Sequence, residues 1–239
     1  MNARAPSPFI SALEKERKPV DDIKVHALTI IMMRHAISFL LLLSLAGFTA
    51  SADDDFNRGP PRPVTCGSVV KLRNQGDGRH VHSLEMNYGT GSGQQAVLGT
   101  DAGDSAESMW IVRNDGTEPC PQGTPIKSGF TFRLQHSRTG KWLHSHLHRS
   151  PLSGNQEVSC YGGSGNESDG GDLWIVEFDG NEWWFQDQPV RIKHRDTGAF
   201  LGSHKKEYGR PIAGYSEIYA AKGKGKGTEH VFMATDGVY

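Results

Sequence analysis

The chain has 239 residues, enough for one or two domains. Its 26 basic and 27 acidic side chains leave a formal charge of −1, which excludes the strongly basic face of an electrostatic nucleic-acid binder. With 36% apolar residues, 29 glycines and 12 prolines it has globular apolar content and the turn density of an all-β protein.

Residues 1–31 precede Met32 and Met33, where an initiator would be expected, and are set aside from the fold. The one long apolar run, Ala36 to Phe48, is too short to span a bilayer, which takes about 20 residues. Arg34 and His35 precede it, and Ala50-Ser51-Ala52 follows. These are the basic, apolar and small-residue regions of a secretory signal. Residues 1–52 are therefore read as an N-terminal extension plus signal peptide, with cleavage after Ala52 and no membrane span remaining. Residues 53–65 are read as a short linker.

Three cysteines then sit in an oxidising compartment. Cys66, ahead of the first strand-like segment, and Cys120, after the region around Trp110, are paired. The bridge closes a loop of about 55 residues and contributes about 4 kcal/mol on the chain-entropy model. Cys160 is left over and is read as buried and inert, the other choice being a partner's thiol. Asn166-Glu167-Ser168 is a glycosylation sequon in a Gly-rich loop.

Self-comparison finds a threefold repeat over residues 66–239. The stretch from Leu134 to His146 aligns without a gap on Ile192 to His204, at an offset of 58, and an earlier copy runs from Leu72 to Leu84. Later in each unit come Gln95-Ala96-Val97, Gln156-Glu157-Val158 and Ser216-Glu217-Ile218, and each unit closes on an aromatic, Trp110, Trp174 or Phe232. Within units the period is two: Phe130, Phe132 and Leu134 alternate with polar residues, as do Val190 and Ile192. Thr139-Gly140 and Thr197-Gly198 mark turns. Units spanning roughly 66–127, 128–185 and 186–239 each supply about four short strands, too few to bury a core alone. A closed threefold barrel with hairpin caps, the β-trefoil, satisfies all three.

Leu143-His144-Ser145-His146, followed by Ser150-Pro151-Leu152-Ser153-Gly154-Asn155-Gln156-Glu157-Val158, resembles the signature of MIR-domain proteins. The segment from Val64 to Leu72 and Tyr208-Gly209-Arg210-Pro211-Ile212 are similar to the stromal cell-derived factor 2 family, secretory-pathway proteins built of three MIR repeats on a β-trefoil. The resemblance implies a non-catalytic module of the endoplasmic reticulum lumen. It would associate with J-domain co-chaperones and, through them, a heat-shock-70-class chaperone; misfolded clients are expected as further partners in a holding role, and glycans in the alternative, carbohydrate-binding reading. Family members often carry a second cysteine pair, whose positions are Ser128 and Phe178 here. Many also end in a retrieval signal, where this chain ends in Gly237-Val238-Tyr239. Retention in the lumen is then expected to rest on a partner, with secretion as the other outcome.

His144, His146 and His148 alternate and would share one face of a strand, as metal ligands could. No carboxylate or cysteine is spaced along the sequence to complete a site, so no metal and no cofactor is expected. Glu157 and Glu217 are repeat-equivalent, as are Ser83, Ser145 and Ser203, so neither set reads as a catalytic dyad or nucleophile. Binding is assigned to the loop around 146–156 and its flanks, with His144, His146, Arg149, Asn155, Gln156, Glu157 and Trp142 as the contact residues. The repeat-equivalent loops 84–95 and 204–216 are further contacts. For the alternative function, carbohydrate binding, Trp142, Trp183 and Trp184 would offer aromatic platforms. The Gln-x-Trp of ricin-type lectins is absent, with Ser108, Asp172 and His230 in the place of the glutamine.

Overall fold

The structure, a computed structural model, describes residues 60–163, 168–223 and 227–238. The signal segment, most of the linker and the Asn166 sequon lie outside the described residues. The first repeat supplies β1 (Val69–Asn74), β2 (His80–Asn87), β3 (Gln95–Thr100) and β4 (Met109–Asn114). The second supplies β5 (Thr131–His136), β6 (Trp142–Arg149), β7 (Gln156–Tyr161) and β8 (Trp174–Glu177). The third supplies β9 (Arg191–His194), β10 (Ala199–Glu207), β11 (Ser216–Lys222) and β12 (Phe232–Val238). Among the described residues, two single 3-10 turns, Ala106–Ser108 and Gly170–Asp172, are the helical elements.

Two closed circuits of pairing make these strands a β-trefoil. The first and last strands of each repeat form a six-stranded ring, in which β1 pairs β4, β4 pairs β5, β5 pairs β8, β8 pairs β9 and β12 returns to β1. The bridge between Val190 and Phe232 completes it. The middle strands form hairpins β2–β3, β6–β7 and β10–β11, and their second members meet in a triangle, β3 with β7, β7 with β11 and β11 with β3. Antiparallel pairing throughout follows from short connections, which cannot reverse the chain for a parallel partner.

The period-two pattern does the sorting. In β5, Phe132, Leu134 and His136 point inward while their neighbours are partly exposed, and in β9 the inward residues are Ile192 and His194. Val70, Leu72, Val112, Val176 and Ala234 join them, with Trp110, Trp174 and Phe232 fully buried. Each fully buried Leu or Ile contributes about 1.5–3 kcal/mol of apolar transfer. Gly140 and Gly198 adopt φ of 70° and 69°, the left-handed conformation their turns demand. Val64, in the stretch read as linker, is fully buried, and its N–H donates to the carbonyl of Trp184 at 2.8 Å. Cys66 and Cys120 are joined across 54 residues, and Cys160 is free and buried. Ser128 Oγ donates to the carbonyl of Phe178 at 2.9 Å and accepts its N–H at 3.0 Å.

Candidate functional site

The three repeats solve one local problem in different ways, and the differences define the site. The carbonyls of Val81 and Leu143, repeat-equivalent, are buried and each accepts an indole N–H, from Trp110 and Trp174 respectively, both at 2.9 Å. Phe232 has no N–H to give Leu201. His230 supplies it from Nδ1 at 3.0 Å, and its ring fills the space of the histidine that stands at His82 and His144 in the other repeats. Hence Gly202: a Cβ there would meet the His230 ring at 2.7 Å.

In the first repeat His82 Nδ1 bonds Ser108 Oγ at 3.0 Å, and burial pushes the His82 pKa down to about 4. In the second, His144 Nε2 bonds Asp169 Oδ1 at 3.1 Å, and Asp172 takes the place of Ser108. Burial lowers the His144 pKa against the opposing pull of Asp169. Burial also pushes the Asp172 carboxyl up to about 6, although the Ser168 hydroxyl and the Asp169 N–H favour its ionised form. No carboxylate is spaced along the sequence for His144, but the fold supplies two, because the 3-10 turn Gly170–Asp172 packs under β6. Gly171 permits that approach, since a Cβ there would overlap the His144 imidazole.

His144, Asp169 and Gly171 open into a groove of about 860 Å³. Beside His144 and Asp169 its lining includes His146, Leu147, Gln156 and Tyr161, with Thr197 and Lys222 from the third repeat. Gln156 Oε1 accepts the Thr197 hydroxyl at 2.9 Å across the repeat boundary. Leu147 is 82% exposed and Tyr161 38%, an apolar edge on an otherwise polar rim. The rings of His146 and His148 lie 4.5 Å apart, and those of His144 and His146 5.0 Å apart, as alternation on one strand requires. A second groove, of about 910 Å³ beside Ser128 and Phe178, has no histidine in its lining.

The expected contact residues divide on this geometry. His144, His146 and Gln156 line the groove, on β6 and β7 rather than in a loop. Arg149 is exposed at the end of β6, opposite Gln156 in register, and Asn155 lies in the hairpin tip; neither lines the groove. Glu157 is fully buried and unavailable to a ligand. It accepts the Ser92 N–H at 3.3 Å and the Ser92 hydroxyl, and bonds His146 Nε2 at 3.2 Å. Glu217 does the same one repeat on, accepting the N–H groups of Leu152 at 2.8 Å and Ser153 at 3.0 Å. The two carboxylates thus anchor hairpin tips, which is why the tips are only partly free as contacts. Trp142 is buried, with the Arg133 guanidinium 5.8 Å over its ring, and Trp184 lies in the core against Phe132. Of the three tryptophans expected as platforms for a sugar, Trp183 alone is partly exposed, and it lies under Lys127 Nζ at 4.5 Å. The sequence reading missed Asp169, Asp172, Leu147 and Tyr161. The signal available for Asp172 was its exchange with Ser108 and His230.

Fold and groove together define a β-trefoil of the MIR type, and the MIR domain model matches residues 78–183. The chain is 42% identical over 208 residues to the stromal cell-derived factor 2-like protein of Arabidopsis thaliana, covering 85% of this chain and 93% of that one. It is 47% identical over 156 residues to human stromal cell-derived factor 2, covering 65% and 73%. The crystal structure of the Arabidopsis SDF2-like protein superposes with a TM-score of 0.71 at 43% identity, covering 74% of this chain and 97% of that chain. The chain belongs to the stromal cell-derived factor 2 family. Among the described residues no helix is long and apolar enough to cross a membrane.

Proposed function

We propose that this chain is a non-catalytic protein-binding module of the endoplasmic reticulum lumen. It works with J-domain co-chaperones and, through them, a heat-shock-70-class chaperone in protein folding and quality control. The observation that carries the reading is the rim of the groove, where Leu147 stands 82% exposed and which Tyr161 also lines. An exposed apolar side chain over a polar-rimmed groove suits contact with a protein surface or an unfolded apolar segment. A nucleophile has no support: Ser83 and Ser145 are buried and their hydroxyls donate to backbone carbonyls, and Ser203 donates to Asp77. Entry to the lumen follows from the signal ending at Ala52, and Asn166 is the glycosylation site. The carbohydrate reading keeps Trp183, half-buried, of its three tryptophan platforms, and falls behind.

Affinity purification of the tagged chain from a secretory-pathway lysate, with mild crosslinking and mass spectrometry, tests this. Lumenal J-domain proteins and their chaperone are expected at stoichiometric levels, reduced at least tenfold by Leu147→Ser. Recovery of glycoproteins released by free sugar would replace this reading with the carbohydrate one.

A further inference from the structure

Ser108, Asp172 and His230 hold one place in the three repeats, and two of them are accounted for by hydrogen bonds, to His82 and to the Leu201 carbonyl. Asp172 is not. Its side chain is fully buried; Oδ2 accepts the Asp169 N–H at 3.1 Å, and Oδ1 has no hydrogen-bond partner. Among the described residues no Lys or Arg forms an ion pair with it. Three residues earlier the contrast recurs: Ser105 caps the 3-10 turn of the first repeat, and Asp169 caps that of the second. The first repeat shows that the fold closes here with two serines beside a histidine. The second carries two carboxylates beside a histidine, one of them buried where an unpaired charge is costly.

Single ligand atoms from His144, Asp169 and Asp172 lie within 4.8 Å of one another. His144 is 4% exposed, and its Nδ1 also lacks a partner. An imidazole nitrogen and two carboxylate oxygens at about 2.0–2.2 Å from one ion are a transition-metal donor set. Asp169, whose side chain is 54% exposed, already holds Oδ1 against His144 Nε2 at 3.1 Å while accepting the Gly171 N–H at 2.7 Å. We propose that His144, Asp169 and Asp172 bind a divalent transition cation, with Zn²⁺ as the probe, beside the Leu147 groove that His144 and Asp169 line. The imidazole selects against Ca²⁺ and Mg²⁺, which prefer oxygen ligands throughout. Three protein ligands leave a coordination position for water or for a side chain of whatever enters the groove. The site stands or falls independently of the co-chaperone reading.

Isothermal titration of the purified chain with ZnCl₂ at neutral pH, with CaCl₂ as control, tests the site. Asp172→Ser and Asp169→Ser install the residues of the first repeat, and circular dichroism checks that each variant folds. One Zn²⁺ per chain is expected, with affinity reduced at least tenfold in each variant and little response to Ca²⁺. The metal-free Asp172→Ser protein should melt no lower than the metal-free parent, whereas a purely structural carboxylate would make it melt lower. If Asp172→Ser fails to fold, Asp169→Ser, at an exposed cap position, carries the test. Absence of stoichiometric Zn²⁺ uptake, or uptake unchanged in the folded variants, overturns the proposal.

Discussion

A buried carboxylate is stable only where its bonds outweigh its lost hydration, and Glu157 shows the balance resolved. Burial raises its pKa, but the bonds from His146 and Ser92 outweigh burial and hold it below its ordinary 4.5. A depressed native pKa stabilises fully above the unfolded value, and that contribution is lost as pH falls through the native one. Glu157→Gln should lower the urea midpoint at pH 7 and flatten the loss of stability below about pH 4.5. Glu157→Ala should cost about 2 kcal/mol, since Ser92 and His146 lose their acceptor. An unchanged midpoint in both variants would remove Glu157 from its anchoring role. Cys160 shows the opposite resolution: burial pushes its thiol up to about 12 while the thiol donates to Ser83 Oγ at 3.3 Å, so it stays a small apolar filler. Both residues were visible in the sequence, but only Cys160 was read by its environment. A Glu in a repeat position looks the same whether it faces solvent or a neighbouring hairpin.

At the level of elements, the hairpins were legible because their turns carry Thr-Gly and their strands alternate. The 3-10 turn beneath β6 was not, since three residues carry no periodicity. Its Asp169 reaches His144 across 25 residues of sequence, a contact that only the closed barrel creates. For the same reason contacts assigned to a loop lie on strands: β6 runs to Arg149, so His144, His146 and Arg149 all precede the turn. The exchange among Gly202, His230 and Phe232 was legible as three separate departures from the repeat, but their common cause is the Leu201 carbonyl. Gly202→Ala should cost about 1–3 kcal/mol, because the methyl group meets His230 and Tyr219 in a filled space. A matched substitution at Gly209, which has open space around it, should be nearly neutral. Equal melting temperatures for the two variants would contradict the packing described for the third repeat.

For the whole molecule, a repeat offset of about 60 residues was enough to specify twelve strands and two closed circuits. Composition could not reveal how much titratable chemistry the fold would bury. His136 and His194 sit inside the barrel, each with Nε2 donating to a backbone carbonyl at 3.0 Å and Nδ1 paired to a threonine hydroxyl at 2.9 Å. Burial lowers both, as it lowers His144, and takes His82 to about 4. Unfolded imidazoles take up protons below about pH 6.5, before the native ones do, so stability is full above that value and falls as pH drops toward 4. Urea midpoints measured from pH 8 to pH 4.5 should be level down to about 6.5 and decline below it. A flat profile to pH 5 would mean that these imidazoles ionise without unfolding the barrel.

The hairpin triangle has unlike corners. Glu157 and Glu217 anchor two of the tips, but at the third corner their place is taken by Ala96, and Leu98 and Tyr88 pack there against Ile212 and Tyr215 of the last repeat. Apolar contacts weaken on cooling, whereas carboxylate contacts weaken on protonation. The weakest seam of the molecule therefore has no fixed address. In the cold it runs between the last repeat and the first, and in acid it moves to the corner that Glu157 anchors.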